Sequence, residues 1–371
     1  IRDLEKEGLI VRTLEGLPDE ETLARLIKDK TPLTRPELCV LTAWARVTLY
    51  RDVIASDIPD APELESLLFD YFPKPLHKYK KSIQEHKLRR EIIATQIVSM
   101  LINRMGPIFV RSRMDKTGAS AADVVRAFLI TVAVYRLNET WAAIESLDGQ
   151  VSSATQIMAH HEVYRVCKRA ATWFLRARLL DISRETEDYG PGIAQMKEDI
   201  GSAISNSQRD VIVGDSGRMQ AMGVPKALAD SLSGMRVLSS ASDIIALSRK
   251  TKVDVKSVAL QYFRVGDALH FDWLRHQAGD IVPANRWEAR VVGGLQDDYF
   301  SYQAFLTALL LRKKGKSATD APITAWFGPR GKDMVSWYDE SLQELRQMSH
   351  AELEMLVLAR QWAGQLVDAL K

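Results

Sequence analysis

The first group of residues that suggests chemistry is the tetrapeptide Gly214-Asp215-Ser216-Gly217. The same tetrapeptide surrounds the nucleophilic serine of trypsin-like proteases, but that chemistry also needs a general-base histidine, an orienting carboxylate and an oxyanion hole on a β-barrel scaffold. The rest of the sequence predicts no barrel. We therefore interpret the tetrapeptide as a loop between helices, and we assign no catalytic residue to this chain.

The glycine patterns do not predict a nucleotide site. A dinucleotide fold requires a strand, then Gly-x-Gly-x-x-Gly, then a helix whose N-terminus takes the pyrophosphate, and that spacing does not occur. Gly315-Lys316-Ser317 matches the end of a phosphate-binding loop, but Leu310 stands where the first glycine of that loop is required. We interpret this tripeptide as a polar turn and predict no cofactor site within the chain.

Clustered histidines and carboxylates do not have the spacing of a metal site. His160-His161-Glu162 contains two adjacent histidines, and adjacent residues on a helix point about 100° apart, whereas a zinc-binding helix uses ligands four residues apart. We predict that this cluster, the pair Asp297-Asp298 and the acidic run at 185–188 lie on the surface. No metal site is predicted.

A stretch of clustered cations is the strongest charge feature of the chain. With Tyr71, Phe72 and Tyr79 it resembles a nucleic-acid surface, where cations meet phosphates and rings stack on bases. Glu85 and Glu91 dilute the charge, and the net charge of the chain is only +2. We therefore favour a basic helix with a solvated face, or one that docks on an acidic neighbouring domain. The candidate interdomain contact residues are Lys74, Lys78, Lys80, Lys81, Lys87, Arg89 and Arg90.

Two apolar segments predict the helices at the centre of the fold. Residues 92–102 carry no charge, and their apolar side chains spread round the whole helical circumference, which is the pattern of a helix buried on all sides. Gly106 is suited to end this helix. In the second segment, Ser120 and Asp123 form an N-cap before apolar residues at helical spacing from Val124 to Tyr135.

The remaining sequence also has helical periodicity, and it shows no alternating run of strand length and no fixed-period repeat. Capping boxes at Thr34 with Glu37 and at Ser349 with Glu352 support two further helices. The predicted fold is all-α, a multi-helix bundle or array around the two central helices. The predicted helices outside the centre cover 19–30, 38–50, 64–71, 74–90, 141–147, 152–181, 193–204, 225–238, 241–249, 254–275, 283–312, 334–346 and 349–370.

Domain organisation and compartment follow from weaker signals. Rising polarity between residues 181 and 192 suggests a helical lobe at 1–180 and a second at 181–371, or one continuous domain. Cys39 and Cys167 lie in apolar helical patterns and are expected to be reduced core residues of a cytoplasmic protein. No apolar run reaches the ~20 residues that span a membrane. The chain opens without a methionine, so we expect it to be part of a longer protein.

Several segments carry a family resemblance along almost the whole chain. They are Leu33-Thr34-Arg35-Pro36-Glu37-Leu38, Tyr71-Phe72-Pro73-Lys74-Pro75-Leu76, Leu88-Arg89-Arg90-Glu91-Ile92-Ile93-Ala94-Thr95, Asn103-Arg104-Met105-Gly106-Pro107, Thr117-Gly118-Ala119-Ser120, Tyr262-Phe263-Arg264-Val265-Gly266 and Asp272-Trp273-Leu274-Arg275. As a set, in this order, they resemble the C-terminal region of the large bacterial NAD-specific glutamate dehydrogenases.

The resemblance implies a parent enzyme that converts L-glutamate, NAD and water to 2-oxoglutarate, ammonium and NADH, as a cytoplasmic homo-oligomer. In that family the catalytic lysines, the glutamate pocket and the nucleotide fold precede this region, so NAD would bind in the parent and no catalytic, cofactor-binding or metal residue is carried over. The implied role is an accessory C-terminal helical domain that works with the catalytic domain of the same parent chain. The fragment alone is expected to be inactive.

Two other classes stay open, a free-standing helical scaffold and an RNA-associated helical protein. A basic stripe that is continuous in three dimensions would favour RNA, although the near-neutral charge argues against nucleic acid. A large exposed apolar patch near Ile1 would favour a missing partner domain. No membrane partner is expected.

Overall fold

A computed structural model describes residues 1–204, 206–314, 328–348 and 350–371. Within these ranges the chain contains no β-strand, which confirms the predicted all-α fold. Short 3-10 helices lie at Ile58–Asp60, Pro62–Leu64 and Lys74–Tyr79. The α-helices are α1 (Arg2–Lys6), α2 (Glu20–Lys28), α3 (Arg35–Ile54), α4 (Glu65–Tyr71), α5 (Lys80–Gln84), α6 (Arg89–Met105), α7 (Phe109–Thr117), α8 (Ala121–Val134), α9 (Leu137–Glu145), α10 (Ser153–Ala177), α11 (Ile182–Ala203), α12 (Asn206–Ala221), α13 (Lys226–Leu238), α14 (Ala241–Thr251), α15 (Val255–Ala268), α16 (Phe271–Asp280), α17 (Arg286–Lys314), α18 (Gly328–Gln347) and α19 (Leu353–Leu370).

The described helices form two compact units that exchange segments along the chain. The first unit contains residues 1–130 and 171–183, and the second contains 131–170 and 184–371. The chain therefore passes from one unit to the other inside α8, inside α10 and inside α11. The two predicted lobes, 1–180 and 181–371, stay a prediction about which parts fold as separate bodies.

Helix α6 is the centre of the first unit, as its apolar sequence predicts. Ile93, Ile97 and Leu101 have no exposed surface, and the helix packs against α3 and α4. Thr95 and Asn103 are exposed, so α6 keeps a narrow polar stripe instead of being buried on every side.

Helix α8 confirms the second predicted buried segment. Its start is the predicted one, because the Asp123 backbone N–H donates to Ser120 Oγ at 3.1 Å. Phe128, Ile130 and Tyr135 have no exposed surface. Because a helix that is apolar on nearly all sides is stable only when other elements cover it, α8 is a packing element.

Capping residues end and begin the helices where the sequence predicts them. The Thr34 backbone N–H donates to Glu37 Oε2 at 2.6 Å at the start of α3. Gly106, after α6, has φ +79°, and Gly118, after α7, has φ +71°; both angles lie in the region that favours glycine. The predicted capping residue Ser349 lies outside the described residues.

The predicted helix over 254–275 is two helices, α15 and α16. The break falls at His270, whose φ of +55° is left-handed and cannot continue a helix. The Tyr338 hydroxyl of α18 donates to the Leu269 carbonyl oxygen at 3.1 Å. This bond replaces the hydrogen bond within the helix that the carbonyl oxygen loses at the break. The break therefore depends on a residue far along the chain.

All but the first residue of the polar stretch 181–192, predicted as a lobe boundary, lies within the regular helix α11, which begins at Ile182. Pro191 stands inside this helix, where it lacks the N–H of an ordinary helical residue. Its neighbour Gly192 leaves room for Ile245, since a Cβ there would lie 3.0 Å from the Ile245 side chain. Close packing on α14 therefore overrides the helix-breaking composition.

The two cysteines have opposite environments. Cys167 is buried, as predicted, and burial raises the pKa of its thiol. Cys39 is exposed, so its prediction as a core residue is wrong. The amino-terminal half of α3 lies half-open, and only Leu49 and Val53 are buried on that helix.

No single helix in the described ranges is long and apolar enough to cross a membrane. Helices α6 and α7 reach the necessary length and composition only as a pair, and the pair is bent by 85° at its break.

The burial of α6 gives a direct stability test. We expect Leu101→Ala to lower the free energy of unfolding by about 2 to 5 kcal/mol, because it leaves a cavity in a packed core. Glu187→Ala, at an exposed position of α11, should change it by less than ~0.5 kcal/mol. Urea titration of both variants measures the difference, and equally small effects would contradict the central position of α6.

Candidate functional site

The predicted basic helix is three separate pieces. Lys74 and Lys78 lie in the 3-10 helix Lys74–Tyr79, and Lys80 and Lys81 lie in α5. Lys87 lies in the turn before α6, whose first two residues are Arg89 and Arg90. The breaks fall at Tyr79, whose ψ of +48° is not helical, and over residues 85–88, whereas Pro73 and Pro75 stand only at the start of the first piece, where proline is tolerated.

This segment is tied to α4 through a histidine. His77 Nε2 lies 2.9 Å from the carbonyl oxygens of Phe69 and Phe72 at the end of α4. The ring of His77 also packs edge-on against Phe69, with centroids 5.7 Å apart. The lysines are therefore presented from a backbone that is held in place.

The lysines of the segment, Lys74, Lys78, Lys80, Lys81 and Lys87, are exposed. Their interactions are of the weak surface type: the Lys81 ammonium lies 3.9 Å from Glu85. We call these lysines the cationic segment. Long-range attraction to an acidic surface needs such solvated charges.

Arg90 does not belong with those lysines. Its guanidinium forms an ion pair with Asp60 and donates to the carbonyl oxygens of Ile54 and Ser56 at 2.9 and 3.0 Å. These bonds satisfy the carbonyl at the end of α3 and hold the turn that follows. Arg90 therefore fixes the fold locally, and the interdomain role predicted for it loses its main support.

Apolar side chains are exposed among the cations. Tyr71 and Tyr79 are 53% and 54% exposed, and Leu76 and Leu88 are 42% and 54% exposed. The Lys78 ammonium lies 5.0 Å from the centre of the Tyr79 ring. Exposed aromatic and aliphatic side chains can serve as the apolar anchors of a protein contact, with the lysines at its polar rim.

The second unit contains a buried polar cluster that was not predicted from the sequence. Arg169 of α10 and Asp243 of α14 form an ion pair at 2.8 Å, and their side chains are only 13% and 11% exposed. A buried ion pair keeps its charge only when both members are present, because an unpaired buried charge costs several kcal/mol. This pair therefore fixes α10 against α14.

Phe300 of α17 is the centre of the cluster. The Arg169 guanidinium carbon lies 4.2 Å from the centre of its ring, and the Arg275 guanidinium carbon lies 4.3 Å from the same centre. Cations are attracted to the electron-rich face of an aromatic ring. One phenylalanine therefore holds two arginines from different helices.

Arg275 continues the cluster into α15. Its guanidinium donates to Gln303 Oε1 at 2.7 Å, and Gln303 Nε2 donates to the Tyr262 carbonyl oxygen at 2.7 Å. Gln303 has no exposed surface. Gly266 gives this glutamine its space, since a Cβ on Gly266 would lie 2.4 Å from Gln303 Nε2.

Asp272 completes the charge balance of the cluster. Burial alone would raise the pKa of its carboxyl, but the positive charges of Arg275 and Arg236 outweigh burial and hold the pKa below its usual range. Arg236 lies 2.8 Å from Asp272 and Arg275 lies 3.5 Å from it. The cluster residues neutralise and bind one another, which is a structural arrangement.

The predicted loop around Ser216 is wrong, because the tetrapeptide lies inside α12. Ser216 is buried, and its hydroxyl donates to Asp230 Oδ1 at 2.5 Å and accepts from Gln220 Nε2 at 3.0 Å. The Lys226 ammonium and then the Ser216 hydroxyl lower the pKa of Asp230. A serine whose proton is held by a carboxylate on the next helix links α12 to α13.

The predicted surface carboxylates divide into two groups. Glu185 and Asp297 are buried, 3% and 7% exposed, so the surface prediction is wrong for them. Each shares a helix face with a residue that packs inward, Tyr189 for Glu185 and Phe300 for Asp297. Asp188 is partly exposed and pairs with Arg249 at 2.8 Å.

The histidine pair does not converge on one point. His161 is exposed and stacks on Tyr164, with ring centroids 6.0 Å apart, while His160 is partly buried. Across the described residues no group of three or more histidine, cysteine or acidic side chains is arranged to hold a metal ion. The predicted polar turn Gly315-Lys316-Ser317 lies outside the described residues.

A shallow concavity lies among α11, α13 and α15. It encloses only about 10 Å³, and its exposed wall is almost entirely apolar, with Met196, Val237 and Phe263 among its lining residues. Small-molecule sites usually enclose ~300 to 1,000 Å³ and contain convergent polar groups. This concavity is therefore a small gap in the packing of three helices and not a small-molecule site.

Comparison with known proteins gives the family context. A family model described as "Glutamate dehydrogenase, C-terminal" matches residues 30–363. The NAD-specific glutamate dehydrogenase of Halomonas elongata is 35% identical over 317 residues, which is 85% of this chain and 20% of that protein. The enzyme of Pseudomonas aeruginosa is 32% identical over 361 residues, 96% of this chain and 22% of its own length. The enzyme of Mycobacterium tuberculosis is 25% identical over 367 residues, which is 97% of this chain and 22% of that protein.

The chain thus spans about a fifth of the length of these curated relatives. The segments 262–266 and 272–275, which carried the family resemblance, supply Tyr262, Gly266, Asp272 and Arg275 of the buried cluster. These two segments could have indicated the cluster from the sequence, although the sequence alone does not show which residues of other helices their side chains contact.

A pair of glycine substitutions tests the cluster. We expect Gly266→Ala to destabilise the protein by about 1 to 3 kcal/mol, because the new methyl group displaces a glutamine held by two hydrogen bonds. Gly294→Ala, in α17 with open space around it, should instead stabilise by up to ~1 kcal/mol through helix propensity. Thermal and urea unfolding measure both, and a neutral Gly266→Ala would contradict the close contact.

Proposed function

This chain belongs to the C-terminal region of the NAD-specific glutamate dehydrogenase family, and on that premise we propose that it is an accessory, non-catalytic helical region of a longer enzyme. The parent converts L-glutamate, NAD and water to 2-oxoglutarate, ammonium and NADH. It does so in the cytoplasm as a homo-oligomer, with NAD bound elsewhere in the polypeptide. The region works with the catalytic part of the same chain.

One observation carries this proposal. The family model that matches residues 30–363 describes the C-terminal part of a glutamate dehydrogenase, and the matched relatives are more than four times as long as this chain. A region of this kind acts through the remainder of the polypeptide.

The state of the chemically capable side chains supports a non-catalytic role. A general base must reach a substrate proton with a free lone pair, but the carboxylates of Asp243 and Asp272 are engaged by arginines. The Ser216 hydroxyl is buried and donates to Asp230. These groups are already used to hold helices together.

The cationic segment is the proposed contact with an acidic surface of the catalytic part, and Arg89 lies at its edge. Solvated charges contribute mainly to the rate and orientation of association. The exposed Tyr71, Tyr79, Leu76 and Leu88 would then provide the apolar area that such a contact buries.

The first test removes the region. Full-length parent enzyme from which residues 30–371 are deleted should lose glutamate dehydrogenase activity or its oligomeric state, measured by NADH formation and light scattering. The isolated chain should form no NADH with glutamate present and should not bind NAD in the micromolar range. Turnover by the isolated chain, or an unaltered parent after deletion, would contradict an accessory role.

The second test reverses charge in the cationic segment. In the full-length parent, Lys80→Glu, Lys81→Glu and Lys87→Glu together should raise hydrogen exchange of residues 71–91 about tenfold at low salt, because an attractive contact becomes repulsive. High salt should remove the difference. The matched control reverses three lysines of the second unit, Lys250, Lys252 and Lys256, of which Lys252 follows α14. Equal exchange in all proteins would reject this contact surface, and salt-dependent RNA binding would favour the RNA-associated alternative.

A further inference from the structure

Helix α2 is amphipathic and has no buried residue. Leu23, Leu26 and Ile27 are three and four residues apart, so they share one face of the helix. Ile27 is 62% exposed, while Leu23 and Leu26 are partly covered. An amphipathic helix normally buries its apolar face against a partner, and within the described residues this face is only partly covered.

The turn before α2 extends the apolar surface. Val11 and Leu14 are 56% and 84% exposed, and both lie in the turn that connects α1 with α2. The neighbouring Ile10 and Leu17 are buried, 5% and 7% exposed. The turn is therefore a folded element that presents some apolar side chains outward.

Ion pairs hold this surface in a defined conformation. The Arg12 guanidinium donates to Glu5 Oε2 at 2.8 Å, to Glu20 Oε2 at 2.9 Å and to the Pro18 carbonyl oxygen at 3.3 Å. Arg2 binds the other oxygen of Glu20 at 2.9 Å. One arginine thus links α1, the turn and the start of α2, and a surface that is already ordered loses little entropy on binding.

We propose that Leu23, Leu26 and Ile27 of α2, together with Leu14 of the preceding turn, dock into an apolar groove on the part of the parent polypeptide upstream of residue 1. The mode is a helix laid in a groove, with anchors at i, i+3 and i+4. This inference rests on the proposed accessory function and names a second contact, apart from the cationic segment.

The position of α2 favours the same polypeptide as its partner. Helix α2 ends at Lys28, just before the family match begins at residue 30. The relatives carry about four fifths of their length outside the matched part, and the family description places that part at the C-terminus. Because both segments belong to one polypeptide, their effective concentration is set by the chain that joins them and not by the protein concentration, so a small apolar face is sufficient.

The size of the face argues against a second copy as its partner. A stable interface between separate proteins takes roughly 20 to 30 residues from each side. The strongly exposed apolar residues of the amino-terminal segment are only Val11, Leu14, Ile27 and, at the start of α3, Leu38. Such a surface suits an intramolecular contact.

A photo-cross-linking amino acid in the full-length parent tests the proposal. It replaces Ile27 in one protein and Arg25 in the control; both positions are exposed on α2, and they lie about 160° apart around the helix. Mixed oligomers of isotopically heavy and light subunits show whether a cross-link joins one polypeptide or two. We expect Ile27 to cross-link to a peptide upstream of residue 1 in the same polypeptide, about tenfold above Arg25.

Three outcomes would overturn the proposal: cross-links between heavy and light subunits, cross-links confined to residues 1–371, or a yield at Ile27 equal to that at Arg25. The deletion experiment separates this failure from failure of the proposed function. A parent that needs the region for activity or assembly, with no upstream cross-link at Ile27, keeps the accessory role and rejects this face.

Discussion

Charge buried among helices has to be paired, and in the second unit this requirement determines how the helices meet. Two guanidinium groups lie 4.2 and 4.3 Å from the centre of the Phe300 ring, and each also has a carboxylate, Asp243 for Arg169 and Asp272 for Arg275. Moving any one of these helices would leave a cation without its carboxylate or its ring. The cost of such an uncompensated charge exceeds that of most apolar repacking, so the cluster selects one arrangement of α10, α14, α16 and α17.

The sequence predicted those features that depend on neighbouring residues. The N-cap at Ser120 and the capping box at Thr34 form from side chains three residues apart, and the burial of α6 and α8 follows from their apolar content. Features that depend on distant residues were missed. At the break near His270, the Tyr338 hydroxyl donates to the Leu269 carbonyl oxygen. The helix stays regular at Pro191, where the adjacent Gly192 packs closely on Ile245.

The candidate site shows the same division. The exposed lysines of the cationic segment were found because charge and spacing are visible in sequence, while the different role of Arg90 required knowledge of Asp60 and of the carbonyl oxygens of Ile54 and Ser56. The breaks of the basic helix, at Tyr79 and over residues 85–88, fall where no proline or glycine marks them in the sequence. Glu185 and Asp297 appeared to be surface residues because their immediate neighbours are polar, and only the packed helices bury them.

The exchange of segments between the two compact units imposes an order on synthesis. Residues 131–170 belong to the second unit but leave the ribosome before 171–183, which complete the first. At about 5 to 20 residues per second, the first unit therefore waits roughly 2 to 8 seconds for its last segment. During that interval residues 131–170 of the second unit have left the ribosome, but residues 184–371, on which they pack, have not yet emerged from it. No single peptide bond divides the chain into one complete unit and the other, so a truncation that keeps one unit whole also keeps a piece of the other: residues 1–183 retain 131–170, and residues 131–371 retain 171–183.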